Sequence, residues 1–131
     1  VAFVGYLDRD TELIDCYHGA TVFVFASATE TQGLVLLEAM AAGLPVVSTA
    51  VFGTRDILQG AAGARVVDED VDQFSAAVID LLCEPALQRG LASQARSHAA
   101  RWSDGEPARR MLTLYEGLVQ AAHRAGAEVS D

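Results

Sequence analysis

The chain has 131 residues, the size of one domain with a single core. Apolar residues make up 51% of it, yet no apolar run approaches the roughly 18 residues of a membrane-spanning helix, so we expect a soluble globular protein. The net charge is −9, with nine arginines, no lysine and no basic cluster, so the chain repels nucleic acid at long range. A phosphate ligand must therefore be held by local groups.

Strands and helices are predicted to alternate through the first half of the chain. The predicted strands are short runs of β-branched and aromatic residues at Val1–Gly5, Thr21–Ser27, Val46–Thr49 and, more weakly, Arg65–Val67. They are continuously apolar, which is typical of strands that are covered on both faces. The helix-like stretches between them are Thr11–His18, Gly33–Ala42 and Thr54–Gln59. This order predicts an α/β fold, a Rossmann-like parallel sheet with flanking helices.

The second half is predicted to be a helical C-terminal tail. Apolar residues recur at three- and four-residue spacing in Val71–Leu82, Ala86–Arg101 and Glu106–Ala122. Asp70 or Asp72 can cap the first of these helices, and Pro85 separates it from the second. An apolar stripe near the last helix is interpreted as core; it comprises Trp102, Met111, Leu114, Tyr115 and Leu118.

The cysteines and the first residue bear on the setting of the protein. Cys16 and Cys83 have no metal-ligand spacing and no secretory context, so they are interpreted as reduced thiols of a cytoplasmic protein. Position 1 is Val, and no signal peptide precedes the strand-like Val1–Gly5, so we expect the sequence to start inside a fold. The acidic run at residues 68–72 is interpreted as a solvated turn and helix cap, and no metal site is expected.

The segment SATETQGLVLLEAMAAGLP, residues 27–45, follows a strand that is apolar throughout. Ligands of an open parallel sheet bind outside the carboxyl ends of its strands, where the next helix begins. That helix should begin near Gln32 or Gly33 and end before Gly43, a residue suited to a left-handed cap. Its first turn offers free backbone N–H groups and the positive end of the helix dipole, and Gly33 would let a ligand approach closely. The segment predicts a phosphate site that needs no lysine.

Two carboxylates, Glu30 and Glu38, flank this predicted phosphate site. Carboxylates repel phosphate, so the pair fits a ligand whose hydroxyl-rich parts lie on either side of a diphosphate, as in a nucleoside diphosphate sugar. Eight helical residues rise about 12 Å, comparable with the reach from a ribose across a diphosphate to a sugar ring. Alternatively, Glu30 only complements the helix dipole and Glu38 is an exposed helix residue. Against this, the neighbours of Glu38 are apolar enough to bury it, which is costly without a partner.

The segment TETQGLVLLEAMAAGLPVV resembles the glutamate-x7-glutamate signature of retaining group 1 glycosyltransferases, family 4, which have the two-domain GT-B fold. The segments VAFVGYL, ELIDCYHGATVFVFAS and WSDGEPARRMLTLYEGLV resemble the same domain, so the resemblance covers nearly the whole chain. It implies that residues 1–131 form a single, partial C-terminal donor-binding domain, without the N-terminal acceptor domain and without the first strand and helix of the donor-binding domain.

The resemblance also implies roles for individual residues. Glu30 would be the catalytic carboxylate that contacts donor-sugar hydroxyls, and Glu38 would bind the ribose diol. Tyr6 and Leu7 would line the nucleobase pocket. The backbone amides that would meet the diphosphate and the sugar belong to Gln32, Gly33, Leu34 and Val35.

The implied function is retaining transfer of a sugar from a UDP or GDP sugar to a lipid or saccharide acceptor. Family members carry an arginine–lysine pair that neutralises the diphosphate; it is not matched here, and Arg9 or Arg55 could replace it only if the fold brings them near. The chain alone is therefore expected to be inactive. Its expected partners are the nucleotide-sugar donor and the N-terminal domain, with no nucleic acid, no cofactor and no metal. It would be cytoplasmic, and would lie at a membrane only through the absent domain.

Four other functions fit the sequence less well. A catalytically silent nucleotide-sugar-binding or interaction module of the GT-B fold is the alternative; it is disfavoured because a lapsed site has no physical reason to keep a buried carboxylate at position 38. Sugar-nucleotide epimerases and phosphorylases have different glutamate and histidine surroundings, and phosphorylases need a lysine for their cofactor. A dinucleotide-binding dehydrogenase is disfavoured because VAFVGYLDRD is not followed by a G-x-G-x-x-G pattern.

Overall fold

Helices and strands alternate in the computed structural model, which describes residues 1–49, 53–103, 105, 109 and 111–119. The elements are α1 (Glu12–Gly19), β1 (Phe23–Phe25), α2 (Leu34–Ala41), β2 (Val46–Ser48), α3 (Gly53–Leu58), β3 (Ala64–Val66), α4 (Val71–Cys83) and α5 (Pro85–Ser103). Residues 111–119 are also helical. From α1 to α5, the boundaries predicted from the sequence agree with these to within two residues.

The strands form a parallel sheet in the order β1-β2-β3. Phe23 pairs with Val46 and Val46 with Ala64, so the three strands are in step along the sheet. The connection from β1 to β2 contains α2, and the connection from β2 to β3 contains α3. Parallel strands joined through helices are the arrangement that the alternating apolar pattern predicts, and the α/β fold class is confirmed.

The core lies on both faces of β2, which is buried along its whole length. Successive side chains of a strand face opposite sides of the sheet. Val46 packs in a cluster with Met40 of α2, Ile57 of α3 and Ala95 of α5. Val47 packs instead in a cluster with Leu81 of α4. Helices therefore cover both faces of the sheet at β2, which explains why Val46 and Val47, on opposite faces, are both apolar.

Local signals in the sequence place several helix ends. Gly43 has a φ of +85°, as expected for the left-handed residue after α2. The Asp70 carboxylate accepts a hydrogen bond from the backbone N–H of Gln73 at 2.8 Å and so caps α4. Pro85 is the first residue of α5, directly after Glu84, the C-cap residue of α4. These three predictions are confirmed.

The predicted strand at Val1–Gly5 is wrong, because residues 1–8 form no strand. Val1, Phe3 and Tyr6 are exposed, the last at 91%. In a doubly wound sheet with strand order 3-2-1-4-5-6, consecutive strands on opposite sides of the crossover do not pair with each other. An apolar run before α1 therefore need not lie beside β1, and no described strand pairs with it.

The contacts within the chain divide it into two compact units, Val1–Ala100 and Arg101–Asp131. The second unit contains the helical residues 111–119, and the remainder of the predicted helix Glu106–Ala122 falls largely outside the described residues. The stripe interpreted as core is exposed, which corrects that interpretation; the exposed side chains are Trp102, Met111, Leu114, Tyr115 and Leu118. Helical spacing predicts which side chains share a face but not what covers that face.

Cys16 and Cys83 are free and exposed. In the part of the chain that the structure describes, no helix combines the length and apolar character needed to cross a membrane.

Two glycines differ in the space around them: Gly63 is closely packed and Gly90 lies on the open surface of α5. A Cβ added at Gly63 would overlap the backbone of Ala95 in α5, whereas one added at Gly90 would meet nothing. Gly63→Ala should therefore lower the free energy of unfolding by about 1–3 kcal/mol. Gly90→Ala, the matched control within α5, should raise it by about 0.5–1 kcal/mol. Chemical denaturation of both variants checks this, and equal effects would show that α5 does not rest against Gly63.

Candidate functional site

The loop between β1 and α2 is built around a left-handed glycine. Gly33 is the N-cap residue of α2 and has a φ of +66° and a ψ of +21°. A side chain there would be strained, and glycine adopts this conformation at no steric cost. The helix therefore begins at Leu34, one residue after the sharp turn, beyond the carboxyl end of β1. This is the region where an open parallel sheet binds its ligands.

Glu30 folds back onto the turn. Its Oε1 accepts hydrogen bonds from the backbone N–H groups of Gln32 and Gly33, both at 2.9 Å. These bonds, first that from Gly33 and then that from Gln32, lower the pKa of the Glu30 carboxyl below its ordinary value. The side chain is therefore ionised at neutral pH. Both bonds fall on the same oxygen, so Oε2 remains to accept from a ligand.

The backbone amides of the predicted phosphate site divide into two pairs. Those of Gln32 and Gly33 donate to Glu30. Those of Leu34 and Val35, in the first turn of α2, donate to no described residue outside the helix. Leu34 is 56% exposed, so the first turn is accessible from solvent. The pair at Leu34 and Val35 has the unsatisfied donors and the dipole end that attract an anion.

Close packing against α3 is a second reason, besides the approach of a ligand, for a glycine at position 33. A Cβ added there would lie 3.0 Å from Ile57 Cδ1 and 3.4 Å from Thr54 Cγ2, both side chains of α3. One added at Gly53 would overlap the backbone carbonyl of Thr31. The two glycines thus let the loop and α3 pack tightly together. A bulky residue at Gly33 would destabilise the fold, and not only hinder a ligand.

Glu38 lies on the face of α2 that carries Leu34, because residues four apart on a helix are neighbours. Its Oε1 accepts from Arg9 Nη2 at 2.6 Å, and its Oε2 accepts from the Tyr17 hydroxyl at 3.2 Å. The Glu38 side chain is 35% exposed. It is therefore less buried than its apolar neighbours suggested, and it has the partners that an ionised carboxylate requires.

A cavity of about 460 Å³ opens beside Glu38. It lies between α1 and α2, and Arg9, Tyr17, Leu13 and Ala41 are among its lining residues. This volume is within the range of roughly 300–1,000 Å³ that is usual for small-molecule sites. Its wall combines apolar side chains with a few polar groups, as ligand sites generally do.

A second cavity, of about 380 Å³, lies at the carboxyl ends of β1 and β2. Ala26, Thr49 and Phe74 line it, together with the carboxyl side chains of Glu69 and Asp70. Since its charged groups are carboxylates, it is less suited to a phosphate than the start of α2.

The remaining predicted site residues lie outside α2 and the loop before it. Tyr6 is almost fully exposed, and Leu7 is half-buried in the irregular segment before α1. Arg55 lines a different cavity, with Gln59 and Asp68. The nucleobase role of Tyr6 and Leu7 stays a prediction.

Sequence reasoning missed Tyr17 and left Arg9 without an assigned place. Helical spacing from Leu13 to Tyr17 indicates that both face the core, and the structure buries Tyr17. No sequence pattern links either Arg9 or Tyr17 to a carboxylate 29 or 21 residues further along the chain. The tertiary fold brings the three together, Tyr17 from α1 and Arg9 from the segment before it.

The chain is similar to known proteins over most of its length. It is 36% identical over 110 residues to D-inositol 3-phosphate glycosyltransferase 1 of Catenulispora acidiphila, which covers 83% of this chain and 26% of that protein. It is 41% identical over 100 residues to the glycogen synthase of Mycobacterium tuberculosis, covering 76% and 23%. The chain thus spans about a quarter of the length of these relatives.

Solved structures and a family model agree with this similarity. The sucrose-phosphate synthase of Thermosynechococcus elongatus superposes with a TM-score of 0.72 at 29% identity, over 92% of this chain and 30% of that one. The arrangement of the sheet and helices is that of a GT-B glycosyltransferase. The family model described as "Glycosyl transferases group 1" matches residues 1–98. The chain therefore belongs to the group 1 glycosyl transferases.

Proposed function

We propose that this chain binds a nucleoside diphosphate sugar and supplies the donor site of a retaining glycosyltransferase. The observation that carries the proposal is the first turn of α2, where the amides of Leu34 and Val35 have no acceptor among the described residues and lie between the carboxylates Glu30 and Glu38 in the sequence. Membership of the glycosyl transferase family supports glycosyl transfer as the reaction. The named relatives act on different molecules, so the acceptor is proposed only as a lipid or a saccharide.

The diphosphate is proposed to lie at the Leu34 and Val35 amides. These donors point out of the helix end with the positive end of the dipole, so they stabilise the negative charge that grows on the leaving diphosphate. The Gln32 and Gly33 amides donate to Glu30, so they are proposed to act on the donor through the position of that carboxylate. Further positive charge would come from a basic pair outside the described site.

Glu30 is proposed to act on the donor sugar. Its backbone bonds hold the carboxylate at the helix start, with Oε2 available to accept from sugar hydroxyls. As the sugar–phosphate bond breaks, positive charge develops at the anomeric carbon, and a fixed carboxylate nearby stabilises it. In a retaining reaction the acceptor oxygen arrives on the face from which the diphosphate departs, so the protein mainly orients the two reactants.

One observation favours the alternative function, a catalytically silent nucleotide-sugar-binding module. Arg9 and Tyr17 satisfy Glu38 from within the chain, so a carboxylate at this position has a structural reason to persist. Turnover separates the two functions. A protein that combines this chain with an acceptor domain should transfer sugar with retained anomeric configuration, which NMR of the product reports, whereas binding without transfer favours the silent module.

The proposal predicts which amides respond to a nucleotide. Titration with UDP, GDP or a corresponding sugar nucleotide should shift the amide NMR signals of Leu34 and Val35 more than those of Gln32 and Gly33, whose N–H groups are already bonded. Affinity should be low because these 131 residues contain no lysine for an arginine–lysine pair. ATP and NAD serve as controls, and the proposal fails if either binds more tightly than every nucleoside diphosphate tested.

A charge placed at Leu34 tests the position of the diphosphate. Leu34→Glu puts a carboxylate in the first turn of α2, where it complements the helix dipole and leaves the fold intact. It should weaken nucleoside diphosphate binding about tenfold by repulsion. Leu34→Gln introduces an uncharged side chain of the same shape as glutamate, so this variant should bind nearly as the wild type does. Equal affinities of the two variants would place the diphosphate elsewhere.

Glu30→Gln tests the contact with the sugar. The amide oxygen can still accept from Gln32 and Gly33, but the charge beside the sugar is lost. The ratio of the affinities for a sugar nucleotide and its parent nucleoside diphosphate should fall about tenfold. Glu84→Gln, which removes an equal charge from an exposed side chain that lines none of these cavities, should leave this ratio unchanged. A normal ratio in Glu30→Gln would remove Glu30 from the sugar site.

A further inference from the structure

The two oxygens of Glu38 are held by partners of different character. Oε2 accepts from the Tyr17 hydroxyl, which belongs to the core, and Oε1 accepts from Arg9, which belongs to the surface. Side-chain exposure is 69% for Arg9, whereas Tyr17 as a residue is only 9% exposed. One oxygen therefore has a fixed partner and the other an exchangeable one.

Tyr17 is fixed by the packing around its ring. It shares a buried cluster with Ala39 and Leu44, and its ring meets that of Phe23 edge to face, with centroids 5.9 Å apart and an interplanar angle of 66°. Close-packed aromatic rings of this kind rarely change rotamer. The hydroxyl consequently stays in one place, with its hydrogen bond directed at Oε2 of Glu38.

The proton of Tyr17 is also secure. Burial and, after it, the negative charge of Glu38 raise the pKa of the Tyr17 phenol to about 12. A raised pKa keeps the phenol protonated, and able to donate, up to and beyond its ordinary titration range. Throughout the neutral range the bond to Glu38 therefore keeps the same donor and acceptor.

Arg9 is held less firmly. It lies before α1, within a turn in which the Asp8 carboxylate accepts from the backbone N–H of Asp10 and Thr11. Its guanidinium reaches Glu38 across solvent-exposed surface, and exposed ion pairs of this type contribute little to stability. A ligand hydroxyl that donates to Oε1 can therefore replace it.

We propose that Tyr17 is a positioning residue that holds Oε2 of Glu38 and directs Oε1 at the ribose diol of the donor, and that Arg9 occupies Oε1 until the ribose displaces it. This inference rests on the proposed function, in which Glu38 binds the ribose. It adds a fixed support and an exchangeable competitor, both supplied by residues before β1. Loss of the support should weaken recognition of the diol, and loss of the competitor should strengthen it.

The measurement is the affinity for UDP divided by the affinity for 2′,3′-dideoxy-UDP, from NMR titrations of the 131-residue chain. The same ratio is measured for GDP and 2′,3′-dideoxy-GDP. The diphosphate is common to both ligands, so its electrostatic contribution cancels in the ratio. Tyr17→Phe should lower the ratio about two- to tenfold, the value of one hydrogen bond. Arg9→Gln should raise it, because the ribose no longer competes with an ion pair.

Phe23→Leu is the matched control for Tyr17→Phe. It loosens the same aromatic contact but leaves the Tyr17 hydroxyl, so it should lower the melting temperature without changing the ratio. If the ratio fell as much in Phe23→Leu as in Tyr17→Phe, the effect would be general loosening of the core, and the positioning role would be wrong. Arg9→Gln changes an exposed side chain, so its arm remains decisive even if Tyr17→Phe fails to fold.

The outcomes separate this inference from the proposed function. If wild type bound no nucleoside diphosphate, the proposed function itself would fail. Equal affinities of the wild type for UDP and 2′,3′-dideoxy-UDP would show that Glu38 does not bind the ribose diol. If wild type preferred the ribonucleotide and the ratio stayed the same in Tyr17→Phe, or fell in Arg9→Gln, the function would survive and this inference would be overturned.

Discussion

The two hydrogen bonds from backbone amides to Glu30 determine where α2 begins, and the candidate site depends on that beginning. They are charge-assisted, and they hold the chain in the turn that Gly33 completes at positive φ. With this turn fixed, the next two amides, at Leu34 and Val35, have no acceptor among the described residues. Glu38 then follows on the same face, one turn further along.

The turn is supported from behind by α3. Gly53 lies against the Thr31 carbonyl, and Gly33 faces the Ile57 side chain, so neither position has room for a larger residue without movement. Ile57 belongs in turn to the cluster that includes Val46 of β2. The geometry of an exposed loop is therefore transmitted from the buried strand through one short helix. Close packing makes this chain of contacts stiff.

Sequence patterns were sufficient for the parts of the molecule governed by local rules. Continuous apolar runs predicted the parallel strands β1 to β3, and turn and cap residues such as Gly43 and Asp70 predicted helix ends. The strand at Val1–Gly5 failed because an apolar run does not say which strand it pairs with. The partners of Glu38 could not be predicted, since they depend on how α1 and the segment before it lie against α2 and not on spacing.

The ion pair between Arg9 and Glu38 joins the irregular segment before α1 to a helix 29 residues away along the chain. Holding a backbone residue in one conformation costs about 1–2 kcal/mol of conformational entropy, so this tether restrains the neighbours of Arg9 at a cost. A molecule that takes the place of Arg9 returns some of that freedom, and the regained disorder adds to its affinity. Ligand binding at the α2 face would then increase the mobility of residues that do not contact the ligand.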